Sequence, residues 1–447
     1  MPNLPLVILH GWSDSFESFK PLGTLLKDAG IAEQVTDIHL GNYVTMDDHV
    51  EFHDIVEAMM RAWKDKQLPM TPRSTNMVVH STGGLVVRDW LDTHFAPGQC
   101  PIHHLLMLAP ANFGSPLAHQ GHSFLGRLFK GLKSDKPFQT GERILKGLEL
   151  ASPYSTSLAL RDLFAEKTKF EAGKILCTVL VGNTGYSGFR SIANRDGSDG
   201  TVYVSTANLQ TANLILNYAE NPEQPQWQLR PCTCQTGFGV MDGENHGSII
   251  GEDERFNNDS TFLWIKDALT VNDDRFEGFT TRLAVLTDSV MARYLDDDSK
   301  HGFQNTVFRL RDQYHRAVPD YFLQFYEHDT DSNRFAEQFH REVLCKVHPY
   351  EEDKSYRSIF MDCTQLHDRI DKPEDHVDIR LYASPEITKE GNVGYRTFVP
   401  GDLGSIKIQA NQIKDVFRAN RTLLTEMTIR RYQSKQVFEF KGLNDKN

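Results

Sequence analysis

Apolar and polar positions follow two different rhythms along this chain. In the first, short apolar runs are separated by stretches with helical spacing. Residues 4–9 form a buried-strand run. Phe16, Phe19, Leu22, Leu25 and Leu26 then fall on one helical face, and Gly30 ends the pattern as a helix terminator. Residues 35–40 read as a strand, 47–66 as a helix opened by an acidic cap, 76–80 as a strand and 83–94 as a helix. Residues 102–109 and 175–181 are two more buried strands. Strands alternating with helices predict an α/β fold, a doubly wound and mostly parallel sheet covered on both faces.

Residues 117–170 interrupt this rhythm with helical patterns only. An insertion of that size between strands is expected to be a lid or cap. Inside it, Phe124, Leu125, Leu128, Phe129 and Leu132 share a helical face, with Arg127, Lys130 and Lys133 off that face. Such a helix can close an apolar site or lie on a lipid surface. The same stripe would also serve simply to pack on the domain body.

After Leu269 the second rhythm begins. An acidic link is expected over 271–299. Beyond it come runs with period-two alternation at 307–310, 321–326, 377–381, 406–408 and 437–440, broken by Gly, Pro and Asp. This predicts a C-terminal β-rich, β-sandwich-like domain over 300–447 behind a first domain over 1–270.

Composition narrows the function classes. The 447 residues suit two or three domains, and 39% hydrophobic content supplies their cores. The charge sum, 48 − 60 = −12, argues against a nucleic-acid partner, whose phosphates reward Lys and Arg. No apolar run approaches the roughly 20 residues that span a bilayer. No basic n-region or small-residue cleavage site marks a signal peptide, so a cytoplasmic location is expected. An export route that reads a folded surface stays open. Six cysteines are too few for a disulfide framework. Cys232 and Cys234 form a C-x-C pair. Cys100 and Cys177 lie far off in sequence, which favours ordinary thiols over a metal site. The acidic runs at 296–298 and 329–331 show no full calcium-ligand spacing and read as solvated loops. No metal and no cofactor are expected.

The chemistry gathers at a few points. In Val78-Val79-His80-Ser81-Thr82-Gly83-Gly84 a strand runs into a small-residue turn and then an apolar helix. Such a turn lifts a serine Oγ above the sheet edge, with the next N–H and the helix N-terminus facing a developing oxyanion. Val79 stands where G-x-S-x-G has its first glycine. A turn that merely ends a strand would use the same letters. His10-Gly11-Trp12 follows the first strand, and its loop would face the serine turn, pairing the N–H of Trp12 with that of Thr82. A serine nucleophile needs a base, and the base needs an acid, in the chain order Ser, Asp or Glu, His. A strand is expected over 227–234, and His246, in the loop after it, is the only histidine late enough in the first domain. Asp199, in a Gly-rich loop after the 175–181 strand, is the first choice for the acid, ahead of Asp196 and Asp242.

With Val7-Ile-Leu-His-Gly-Trp12, Val79-His-Ser-Thr-Gly-Gly84, Ala109-Pro-Ala-Asn-Phe-Gly-Ser-Pro116 and Gly197-Ser-Asp-Gly-Thr-Val202, the first domain resembles an α/β-hydrolase of the lipase–esterase type. The resemblance covers roughly residues 4–270. It implies Ser81 as nucleophile, Asp199 as acid, His246 as base, and Trp12 and Thr82 as oxyanion donors. The expected activity is hydrolysis of carboxylic esters, with lipids, phospholipids among them, as substrates and with peripheral membrane contact through the lid or the C-terminal domain. Thioesterase, amidase or acyltransferase chemistry on the same triad remains an alternative, as does a non-catalytic interaction protein with a vestigial hydrolase domain.

Overall fold

The computed structural model describes residues 4–10, 19–45, 47–118, 141–251, 256–327, 333–370, 372–387, 393–401 and 403–434. The chain separates into two compact units. One comprises Met1–Thr211, Pro231–Asn305 and Ala419–Thr422, the other Ala212–Arg230, Thr306–Arg418 and Leu423–Asn447.

The first unit begins with β1 (Leu6–His10), α1 (Lys20–Asp28), β2 (Val35–His39), α2 (Phe52–Asp65), β3 (Thr75–His80) and α3 (Gly83–His94). It continues with β4 (Ile102–Leu108), α4 (Glu142–Leu148), α5 (Pro153–Asp162) and β5 (Leu176–Gly182). The chain then contributes β6 (Ala212–Asn217) and β7 (Gln226–Pro231) to the second unit. It returns for β8 (Thr236–Met241), α6 (Ser260–Thr270) and α7 (Asp273–Ala292). The six first-unit strands form one sheet in the order β2-β1-β3-β4-β5-β8, parallel throughout. Every residue of β3, β5 and β8 is buried, as a sheet covered on both faces requires.

Three local features differ from the sequence expectation, each for a physical reason. The helix expected from Asp47 starts at Phe52, because Glu51 and Asp54 make a reciprocal capping box there. The strand expected over 227–234 ends at Pro231 in the second unit's sheet, and the strand leading to His246 is β8. Its TGFGVM sequence has weak strand character because of two glycines. A Cβ at Gly239 would lie 2.7 Å from Leu283 Cδ2, and one at Gly237 3.0 Å from Leu283 Cδ1, so glycine lets α7 lie against the strand. The segment expected as an acidic link holds α7 itself. Asn272 caps it by accepting from Arg275 N–H, and Asp273 and Asp274 sit at its positive end. Phe276, Phe279, Leu283 and Val290 form its buried face.

The second unit is β-rich with mixed pairing. Its further strands are β9 (Phe303–Asp312), β10 (Tyr321–Glu327), β11 (Leu344–Pro349), β12 (Tyr356–Asp362), β13 (His376–Ala383), β14 (Val393–Tyr395), β15 (Ile406–Gln409), β16 (Arg421–Ile429) and β17 (Arg431–Gln433). A six-stranded sheet runs β11-β12-β9-β16-β6-β7. A three-stranded antiparallel sheet runs β10-β13-β15, and β14 pairs with β17. The β16–β6 pair is parallel, joining residues more than 200 positions apart, from Leu423 on Ala212 to Thr428 on Asn217. The alternating run at 437–440 and the acidic run at 329–331 lie outside the described residues. Among the described residues no helix is long and apolar enough to cross a membrane.

Candidate active site

β3 ends at His80, and Ser81 follows with φ 54°. This left-handed conformation costs a residue with a Cβ about 1–2 kcal/mol. Hydrogen bonds hold the turn in place. Ser81 N–H donates to Leu108 O (3.3 Å), and Ser81 O accepts from Gly84 N–H (3.2 Å) and Ala111 N–H (3.0 Å). Thr82 is the N-cap of α3. Glycine is required at position 84, because a Cβ there would meet Pro110 Cβ at 2.6 Å and Asn112 Oδ1 at 3.0 Å. A Cβ on Gly83 would sit 3.5 Å from Val79 Cβ, an ordinary contact. Val79 is therefore accommodated where the usual pattern has glycine.

Asp199 is fully buried in a turn shaped by Gly197 (φ 68°) and Gly200 (φ 97°). Its Oδ1 accepts from the N–H groups of Thr201 (2.9 Å) and Val202 (2.8 Å). Its Oδ2 lies 2.9 Å from His246 Nδ1, and its backbone O accepts His246 N–H at 3.0 Å. A carboxylate only accepts, so Nδ1 is the donor of this bond. Nε2 is buried and makes no hydrogen bond among the described residues. The His246 ring packs on His80 with centroids 4.4 Å apart, and His80 Nε2 lies 3.0 Å from His246 O. This imidazole therefore touches the residue immediately before Ser81.

The other aspartates are placed differently. Asp196 is exposed. The Asp242 carboxylate accepts from Asn183 Nδ2 (2.9 Å), Arg293 Nη1 (3.0 Å) and Tyr294 OH (2.9 Å). Trp12 and the stripe residues Phe124, Leu125, Leu128 and Phe129 lie outside the described residues.

Sequence reasoning missed the residues that hold this arrangement. Glu244, two positions before His246, is fully buried. Its Oε2 accepts from Ser248 Oγ and Asn257 N–H (3.2 Å), its Oε1 from Asn258 N–H (3.0 Å) and Thr261 Oγ1 (2.8 Å). The His246 loop is thereby bolted to the start of α6. Ser115 Oγ donates to Thr201 O at 2.6 Å, tying the loop after β4 to the Asp199 turn. Behind the serine turn, Arg88 on α3 is fully buried. It grips Asp162 Oδ2 through Nε (2.8 Å) and Oδ1 through Nη2 (2.9 Å), and its Nη1 donates to Asn112 O (3.1 Å). A glutamate inside the loop that carries His246 was the available signal for Glu244. Nothing local marks a pair 74 residues apart such as Arg88 and Asp162.

No family model and no curated protein matches this chain. Among solved structures, phospholipase PlaB from Legionella pneumophila in complex with thio-NAD is similar at a TM-score of 0.83 and 24% identity, covering 99% of this chain and 97% of that one. A second structure of phospholipase PlaB from Legionella pneumophila gives 0.83 and 23% over the same shares. The fold is that of an α/β-hydrolase. To the parallel sheet of that fold this chain adds the mixed sheets of its second unit. In an α/β-hydrolase the loops after the strands corresponding to β3, β5 and β8 gather at one edge of the sheet. Those loops carry Ser81, Asp199 and His246 here.

Proposed function

We propose that the first unit is a serine hydrolase of carboxylic esters, acting on lipids and phospholipids, with Ser81 as nucleophile, His246 as base and Asp199 as acid. The carrying observation is the His246 imidazole, held at Nδ1 by a buried carboxylate and packed on the neighbour of a left-handed serine. The lipid part of the reading draws on the apolar stripe at 124–132 and on the likeness to a protein named a phospholipase.

In this reading Nε2 takes the Ser81 proton as Oγ attacks the ester carbonyl. Asp199, oriented by the amides of Thr201 and Val202, keeps Nδ1 protonated and stabilises the imidazolium. The N–H groups of Thr82 and Trp12 bind the oxyanion, each contributing about 3–4 kcal/mol in comparable sites. The alcohol leaves with the proton from His246. The same imidazole then activates water, which releases the acid and frees Ser81. Within the insertion at 117–170, the stripe-bearing segment 124–132 acts as the lid over this site, and the lid together with the β-rich unit supplies peripheral contact with a lipid surface.

The test is Ser81→Ala against a short chromogenic ester, with intact-mass detection of a fluorophosphonate adduct. Wild type should hydrolyse the ester and take one adduct on Ser81, and the variant should do neither. Wild-type turnover by Ser81→Ala, or an adduct on another residue, refutes the assignment. Deleting residues 124–132 should spare water-soluble esters and lower turnover on emulsified ones, whereas equal loss on both makes the segment structural.

A further inference from the structure

We infer that Cys232 and Cys234 are a dithiol site that closes reversibly to an intramolecular disulfide on reaction with low-molecular-weight disulfides such as oxidised glutathione. The two Sγ atoms lie 3.2 Å apart, with the Cys234 thiol directed at the Cys232 sulfur. A disulfide needs about 2.05 Å, so closure is a small side-chain rotation. Both residues are half-buried.

The backbone holds this geometry. Cys232 N–H donates to Thr211 O (3.1 Å), Thr233 N–H to Leu163 O (2.9 Å) and Gln235 N–H to Phe170 O (2.7 Å). The chain bends at Thr233. Thr233 Oγ1 has Leu163 O (3.1 Å) and Ala165 O (2.9 Å) as alternative acceptors for its one proton, so its side chain faces that turn while the flanking sulfurs share the other side. Cys234 Sγ lies 3.7 Å from Leu209 O on that side.

The pair is also chemically asymmetric. The hydrogen bond from Cys234 holds the Cys232 thiol below its ordinary range, and the same bond with burial pushes Cys234 up. Cys232 is thus the attacking thiolate and Cys234 the resolving thiol. Burial pushes Cys100 up to about 11 and Cys177 higher still, which leaves both as poor nucleophiles.

The exchange balances in two steps. The Cys232 thiolate attacks one sulfur of the small disulfide, forming a mixed disulfide and expelling one thiolate. Cys234 then loses its proton and attacks the Cys232 sulfur, expelling the second thiol. The protein gives up two hydrogens and two electrons, and the reagent takes them as two thiols. Because the second thiol sits in contact, this step is intramolecular and outruns release of the first.

The experiment exposes the native full-length protein to oxidised glutathione, followed by alkylation, intact mass and peptide mapping. Beyond the glutathionyl group expected on exposed Cys345, wild type should lose two alkylatable thiols and the mass of two hydrogens, with the new bond between 232 and 234, and dithiothreitol should restore both. Cys234→Ser should trap one glutathionyl group on Cys232. Cys232→Ser should react at 234 at least about tenfold more slowly. Exposed Cys345 serves as the internal control for reagent access. The inference is overturned if both thiols stay alkylatable once Cys345 is modified. It is equally overturned if the bond joins another cysteine, if Cys234→Ser traps nothing on Cys232, or if stoichiometric zinc protects the pair in place of oxidation.

Discussion

Replacing Ser81 by glycine should leave the protein inactive and more stable than replacing it by alanine. At φ 54° the alanine variant still carries a Cβ against the following carbonyl, at a cost of about 1–2 kcal/mol. Glycine escapes that cost and gives back about 0.5–1 kcal/mol in backbone entropy. The midpoints of the two ranges favour glycine by about 0.75 kcal/mol, roughly a three- to fourfold change in the folding equilibrium constant by the usual RT conversion. At an ordinary φ the order of the two variants is reversed, so the sign is the test. Both variants lack the hydroxyl, and their difference isolates the backbone. Equilibrium denaturation can be followed by tryptophan fluorescence, since Trp63 and Trp90 are fully buried in the first unit. Equal slopes for the two variants let the midpoint difference be read as stability. Neither should take a fluorophosphonate adduct. If Ser81→Gly unfolds at lower denaturant than Ser81→Ala, the turn stores no strain and the reasoning fails.

The other predictions address the supports of the site and the far end of the sheet. In Glu244→Gln the amide NH2 must face the backbone N–H of either Asn257 or Asn258, whichever way it turns, because each carboxylate oxygen accepts one of them. One buried donor is left unpaired at about 1–3 kcal/mol. Hydrogen exchange at those two amides should quicken and turnover fall, and unchanged exchange would contradict the loop-bolt role. Asp162→Asn strips the charge partner from fully buried Arg88 and should cost about 3–5 kcal/mol in denaturant unfolding. A loss below 1 kcal/mol would mean that the pair is dispensable, on the same scale. Burial, reinforced by His104 and Arg73, pushes His103 from 6.5 down to about 4. The folded state stays neutral there while the unfolded chain takes up a proton. This contribution is therefore whole above pH 6.5, shrinks as pH falls and levels off near pH 4. His103→Gln should flatten the slope of stability against pH across that window, and an unaltered slope would show that His103 does not cause it.

The strand–turn–helix around Ser81 was legible because it is local. Six residues carry the end of β3, the turn and the first turn of α3, and Gly84 announces a close approach whose partner, Pro110, it does not name. The strand before His246 was not legible. Gly237 and Gly239 lower its strand character, and their reason lies in Leu283 on a helix more than forty residues on. Charge misled at 271–299, where Asp273 and Asp274 mark a helix start and not a linker. In the second unit, period-two alternation located β strands but could not show that β16 runs parallel to β6.

By itself the sequence determined the α/β alternation, the serine turn and the short roster of acids and imidazoles, because each follows from propensity and spacing within a dozen residues. Tertiary structure alone decided which aspartate meets His246, that Glu244 and Arg88 are buried in hydrogen-bonded cages, and that two half-buried thiols face each other beside Leu209. The meetings of Asp199 with His246 and of Arg88 with Asp162 depend on where the chain returns after 47 and 74 residues. The return is settled by packing the whole sheet and its helices at once, which no local pattern encodes.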